Sequence, residues 1–268
     1  MQSRKIEVED ENIMNQGGNL ADIAQALMRQ QKKNDILLNK SMLPSRGLLY
    51  KGDISVKKLT TIDIKNLSTV TTDTVDGVMN GILARNVSGI QVNDILVGDK
   101  IWLIFYLRSI TYDDYPFDIK YTCSECGHNG IFSMKFSDLV VNQLQDDFKY
   151  EYTMKNGDVI TIGFPTIGNE VETNMVLREP EKYSMTPIDE ELINIANYIK
   201  TLNGVNQSIM SAYRYIETLD APSFSNFANY MADVNFGVKP YINIKCDCGN
   251  IIQAPLSFSA EYFMPKIK

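Results

Sequence analysis

The sequence is poor in the residues that most catalytic sites need. Its 268 residues include one histidine, four cysteines and one tryptophan. Hydrolytic zinc sites keep an open coordination position and are built mostly from His and carboxylates, so a lone His argues against one. No P-loop, other Gly-rich phosphate cradle or Gly-x-Ser-x-Gly elbow occurs. The acidic pairs Asp113-Asp114, Asp146-Asp147 and Glu190-Glu191 are sequence neighbours whose side chains diverge, which reads as solvated surface. No apolar run reaches the roughly 18 residues of a membrane span. The best candidate, residues 101–107 (IWLIFYL), has seven. Basic charge is also scarce, with 26 Lys and Arg against 33 Asp and Glu, a net charge of −7. A sequence-independent nucleic-acid binder needs a basic face to release counterions, and none is visible. Cysteine is too sparse for a disulfide framework, and no signal peptide precedes it. The expectation is free thiols in a reducing cytoplasm.

The cysteines that are present fall into two pairs. They are Cys123-Ser-Glu-Cys126-Gly127-His128 and Cys246-Asp-Cys248-Gly249. A Gly follows the second Cys of each pair, and Gly permits the backbone angles that turn two sulfurs toward one point. Residues 118–122 and 241–245 alternate polar and apolar on the way in, and 131–136 and 251–258 on the way out. Each pair therefore reads as strand, knuckle, strand, the unit of a zinc ribbon. Four thiolates suit one tetrahedral structural zinc, with Cys123, Cys126, Cys246 and Cys248 as the ligands and no position left open. His128 is read as a surface loop residue, because the four sulfurs already complete the shell. A thioredoxin-type redox pair would need a helix after the CxxC, and residues 131–136 read as strand instead. With residues 127–245 between the knuckles, the metal is a long-range clasp.

The remaining pattern predicts an α+β fold: a zinc-ribbon-like β unit, an N-terminal helical part and a helical insertion between the two knuckles. Residues 1–41 read as a flexible arm with an amphipathic helix at 19–33, striped by Leu20, Ile23, Ala24 and Leu27. An N-terminal α+β part follows at 42–112. It holds a strand at 54–59, a short helix capped by Thr61, an amphipathic helix at 74–87 and an almost wholly apolar helix at 100–109 capped by Asp99. Arg108 sits in the last turn of that helix, as a structural cap or ion pair. Residues 113–186 carry the first knuckle and a hairpin turning at Asn156-Gly157, then a charged connection from 169 to 186. Residues 187–237 read as helices, starting at Pro187 with the stripe Leu192, Ile195, Ala196 and Ile199, and broken near Pro222. Residues 238–268 hold the second knuckle and a C-terminal strand.

A set of segments in this order resembles one family. They are Leu43-Pro44-Ser45-Arg46-Gly47-Leu48-Leu49-Tyr50, then Leu96-Val97-Gly98-Asp99-Lys100 running through apolar residues to Leu107-Arg108. The knuckle Cys123-Ser-Glu-Cys126-Gly127, the knuckle Cys246-Asp-Cys248-Gly249 and Tyr262-Phe263 before Pro265 follow. Over residues 43–265 the chain is similar to the baseplate hub assembly family of T-even-type contractile-tailed bacteriophages. The second knuckle departs from the family pattern, with CxC where CxxC is usual, and the 19–33 helix is an extension. The resemblance implies a structural or assembly protein of the tail baseplate hub, with no enzymatic activity. Its partners would be other baseplate or hub proteins or a second copy, with no nucleic acid and no membrane. It would act in the host cytoplasm during assembly or in the virion tail. The alternative from the zinc ribbon alone is a regulator that binds nucleic acid or polymerase, which the acidic balance and the scattered Lys120, Lys135, Lys239 and Lys245 disfavour.

Overall fold

A computed structural model describes residues 35–71, 73–183 and 188–256. The 19–33 helix, the first-turn role of Pro187 and the aromatic strand near 258–265 lie outside them. The described part is mixed α/β, with seven α-helices and several small sheets among the described residues.

The first core gathers around three helices and the two cysteine-bearing hairpins. Thr60 caps α1 (Thr61–Ser68), one residue before the expected Thr61, because Asp63 closes a capping box with it. Asp63 also receives Arg85 Nε at 2.8 Å and Asn86 Nδ2 at 3.0 Å from α2 (Val75–Asn86), so one carboxylate ties two helices together. Met79, Ile82 and Leu83 of α2 are buried at helical spacing, as the amphipathic pattern of 74–87 requires. The strand expected at 54–59 shrinks to β1 (Ser55–Val56), paired antiparallel with β2 (Val87–Ser88). Leu38 and Leu43 are buried in this core, so packing begins upstream of residue 42.

The apolar helix α3 runs Val97–Thr111, with Trp102, Leu103, Ile104, Phe105 and Leu107 all buried. It starts before Lys100, and Asp99 is not its cap. The Asp99 carboxylate instead accepts the Ser45 N–H at 2.8 Å and the Tyr50 hydroxyl at 2.7 Å. The Tyr50 oxygen accepts the Leu96 N–H at 2.9 Å. The 43–50 segment is thereby fastened to the start of α3. Burial pushes the Asp99 carboxyl above its usual range, although the Ser45 and Tyr50 bonds pull it down. Arg108, fully buried, donates to Tyr115 O at 2.6 Å and Pro116 O at 3.3 Å, and its Cζ lies 5.0 Å from the Phe117 ring centroid. These bonds hold the chain that follows α3, where the sequence suggested a helix cap or an ion pair.

The second core is drawn mostly from residues between the two cysteine pairs, with Leu96 added from the start of α3. Its neck is β5 (Val141–Asn142) paired with β10 (Gly237–Val238). Inside are β6 (Glu151–Thr153), β7 (Val159–Ile162), β8 (Ile199–Leu202) and β9 (Val205–Asn206), an antiparallel sheet in the order β9-β8-β7-β6. The helices α4 (Ile167–Arg178), α5 (Glu190–Ala196), α6 (Ile209–Glu217) and α7 (Ala221–Val234) accompany it.

Two expectations change here and a third holds. The charged connection at 169–186 is largely α4, nucleated by a Thr166–Asn169 capping box. The helix read through Ile199 is α5, capped by Asp189 and ending at Ala196, because Asn203 (φ 50°) and Gly204 (φ 79°) make a hairpin turn that draws Ile199 into a strand. The break near Pro222 is present: α6 ends at Glu217, and α7 starts at Ala221 with Pro222 in its first turn behind an Asp220 cap. Tyr213 and Phe227 are buried in this core, so these two aromatics of the insertion serve packing.

Candidate metal centre

Each cysteine pair sits at the tip of a two-stranded hairpin. The first is β3 (Phe117–Thr122) against β4 (Asn129–Met134), with Thr122 opposite Asn129 at the loop end. The second is β11 (Tyr241–Lys245) against β12 (Ile251–Pro255), with Lys245 opposite Ile251. Alternation places Phe117, Ile119, Ile242, Ile244 and Ala254 in the first core. The hairpins are thus held from inside and their tips are left to the sulfurs.

Both knuckles use the same backbone device. The Gly127 N–H donates to Cys123 O at 2.9 Å, and the Gly249 N–H to Cys246 O at 2.9 Å. The two glycines have φ of 70° and 93°, where a side chain would be strained. CxC gives a loop one residue shorter than CxxC: Cys246 N–H bonds Asn250 O, where Cys123 N–H reaches His128 O. The shorter loop still presents two sulfurs.

The four Sγ atoms lie within 4.8 Å of one another. Cys123 and Cys248 are 3.6 Å apart, and Cys126 and Cys246 are 3.7 Å apart. A tetrahedral ion with metal–sulfur bonds of about 2.3 Å needs sulfurs about 3.8 Å apart, so the residues fit such an ion. The cage is thiolate only, which favours soft or borderline ions over Mg2+ or Ca2+. Cys123 and Cys246 are buried, and Cys126 and Cys248 are exposed.

The electrostatics suit a cation. The Cys126 N–H, the Asn250 amide and the Glu125 N–H point at Cys123 and draw its thiol down to about 6, against the effect of burial. The His128 N–H favours the Cys126 thiolate, but the crowding sulfurs of Cys248, Cys123 and Cys246 together with burial drive that thiol up to about 12. Cys246 is also pushed up: the Cys248 N–H and the Cys126 contact lower it, and burial with the Cys248 and Cys123 sulfurs outweighs them. Four thiolates repel at this spacing, and a divalent ion at their centre removes the repulsion.

All four cysteines singled out from the sequence come together, and the cluster includes none of His128, Glu125 and Asp247. His128 is exposed, with its ring edge-on to Tyr121 at 6.3 Å between centroids. Two supporting residues escaped sequence reasoning. Asn250 places its Nδ2 3.6 Å from Cys123 Sγ, a contact between the two knuckles. The Tyr121 ring covers Gly130 so closely that a Cβ there would lie 2.5 Å from it. An Asn after Cys-x-Cys-Gly and a Gly opposite a strand Tyr were the available signals.

The fold and site define a mixed α/β protein whose split β-hairpin pair ends in a closed four-sulfur centre able to hold a metal ion. The chain belongs to the T4 bacteriophage base plate protein family, whose model matches residues 40–258. That span contains the 43–50 segment, α3 and both knuckles. Comparison with curated proteins gives no match, and comparison with solved structures gives none. Family membership carries a structural role in the phage tail base plate and contacts with other phage structural proteins. Among the described residues, no helix is long and apolar enough to cross a membrane.

Proposed function

We propose that this chain is a structural or assembly protein of the phage base plate hub, acting through protein–protein binding, with one structural zinc held by Cys123, Cys126, Cys246 and Cys248. The observation that carries the reading is the family match over residues 40–258. The sulfur cluster supports the zinc, because its spacing and all-thiolate composition suit a closed tetrahedral site. In this role zinc supplies cross-linking. The two hairpins are remote in sequence, and the ion joins their tips while β5 and β10 join the chain at the neck of the second core. The protein works without chemistry on a substrate: a closed thiolate shell offers no coordination position for one. It acts in the host cytoplasm during assembly or in the finished tail.

Mass spectrometry of purified tails and of assembly intermediates tests the reading. The chain should co-purify with base plate proteins in at least one of these fractions. Its absence from both, with normal tails in a phage lacking it, would contradict the assignment.

A further inference from the structure

A groove of about 460 Å³ runs between α4, α5 and α7 in the second core. Met231 forms part of its buried surface, and the half-buried Leu177 and Ile195 form apolar walls. Three carboxylates line it: Asp76, Glu170 and Glu190. One cation opposes them. Lys100, almost fully buried, reaches Asp76 at 2.8 Å and Glu170 at 2.6 Å. Three negative groups against one positive leave the groove with a net charge of −2, and no Lys or Arg lines it.

Acidic charge beside apolar walls complements a cationic side chain on an apolar segment. It repels phosphate, which turns away nucleic acid and anionic lipid.

We propose that this groove receives a segment of another base plate protein that carries a Lys or Arg among apolar residues. The apolar side chains would pack on Leu177, Ile195 and Met231, and the cation would sit against Asp76, Glu170 and Glu190. This rests on the base plate reading and adds the place and chemistry of one contact. Charge complementarity of this kind governs encounter and specificity.

The test is a photo-crosslinking residue at Asn194, which lines the groove and is exposed, with a control at Lys155, which is exposed and lies outside the groove. The full chain is expressed during infection, and adducts are sequenced by mass spectrometry. The expected adduct at 194 is a peptide of a different base plate protein containing Lys or Arg beside apolar residues. Glu190→Lys should cut its yield by about tenfold, as a change of about 1.4 kcal/mol would. Ala232→Lys, which puts a cation into the groove without deleting a native charge, should do the same even if Glu190→Lys is poorly folded. No adduct specific to position 194 overturns the proposal, as does an adduct with a second copy, with nucleic acid or with a peptide lacking Lys and Arg. An adduct insensitive to Ala232→Lys overturns it as well. If the chain co-purifies with base plate proteins while the groove fails this test, only the groove assignment falls. If it associates with none of them, the base plate reading falls too.

Discussion

Replacing Phe227 with Ala separates packing from docking in the second core. The Phe227 side chain is fully buried, and its ring centroid lies 5.2 Å from that of Tyr152 on the neighbouring sheet. An aromatic removed from a closed core costs about 3–5 kcal/mol, the sum of lost transfer energy and an incompletely collapsed cavity. Domain stabilities are about 5–15 kcal/mol, so the loss is a large share of the total. With a urea slope of about 1–3 kcal/mol per molar, the midpoint should fall by at least about 1 M. Met175, an exposed residue of α4, is the control. Met175→Ala should stay within about 0.5 kcal/mol of the parent. Urea titration followed by far-UV circular dichroism reads both. A loss below about 1 kcal/mol for Phe227→Ala, with base plate assembly impaired, would refute the packing argument and make Phe227 a contact residue.

Other perturbations probe other parts of the molecule. Cys248→Ser should release the metal and expose β11 and β12 to protease, because structural zinc contributes about 10–16 kcal/mol of apparent binding energy in small domains; limited proteolysis with metal analysis checks it. Tyr50→Phe should cost about 1–3 kcal/mol, since it removes the hydroxyl shared by Asp99 and Leu96 N–H and leaves a buried carboxylate oxygen short of a donor; thermal unfolding reads it. Asp63 should contribute to acid lability. Burial pushes its carboxyl up, but the Thr60 N–H, the Asn86 amide, the Thr60 hydroxyl and Arg85 outweigh it and hold the carboxyl below its ordinary value of 3.8. A depressed folded value means the stabilisation is fully present above 3.8 and is lost as pH falls through 3.8 to the folded value. Asp63→Asn should be less stable at neutral pH and show a shallower acid slope, measured by urea midpoints from pH 6 down to about 2.

What the sequence made legible was local. The knuckles could be read because Cys spacing, a following Gly and alternating flanks all lie within a few residues. The stripe of α2 and the Asn156-Gly157 hairpin were visible for the same reason. Asn203-Gly204 carried an equal turn signal, yet Ile199 continued the helical spacing of Leu192, Ile195 and Ala196 and hid it. The periodicity cannot choose between helix and strand over so few residues, and pairing with β7 decides it. The start of α4 was missed because its capping box uses Asn169 where Glu or Gln is the usual signal. Asp99 looked like a cap in local sequence; its partners Ser45 and Tyr50 are distant in the chain and only the tertiary fold brings them near. The groove between α4, α5 and α7 has the same origin, since no short window holds Asp76, Glu170 and Glu190 together.

Native mass spectrometry of the full chain purified without added metal, before and after a chelator, shows whether the four sulfurs hold an ion. One zinc ion per chain is expected, lost on chelation together with resistance to protease in the two hairpins. A Cys123→Ser, Cys246→Ser double variant should carry no stoichiometric zinc. A chain that carries no metal while its hairpins stay protected, or a double variant that keeps its zinc, would contradict the zinc assignment.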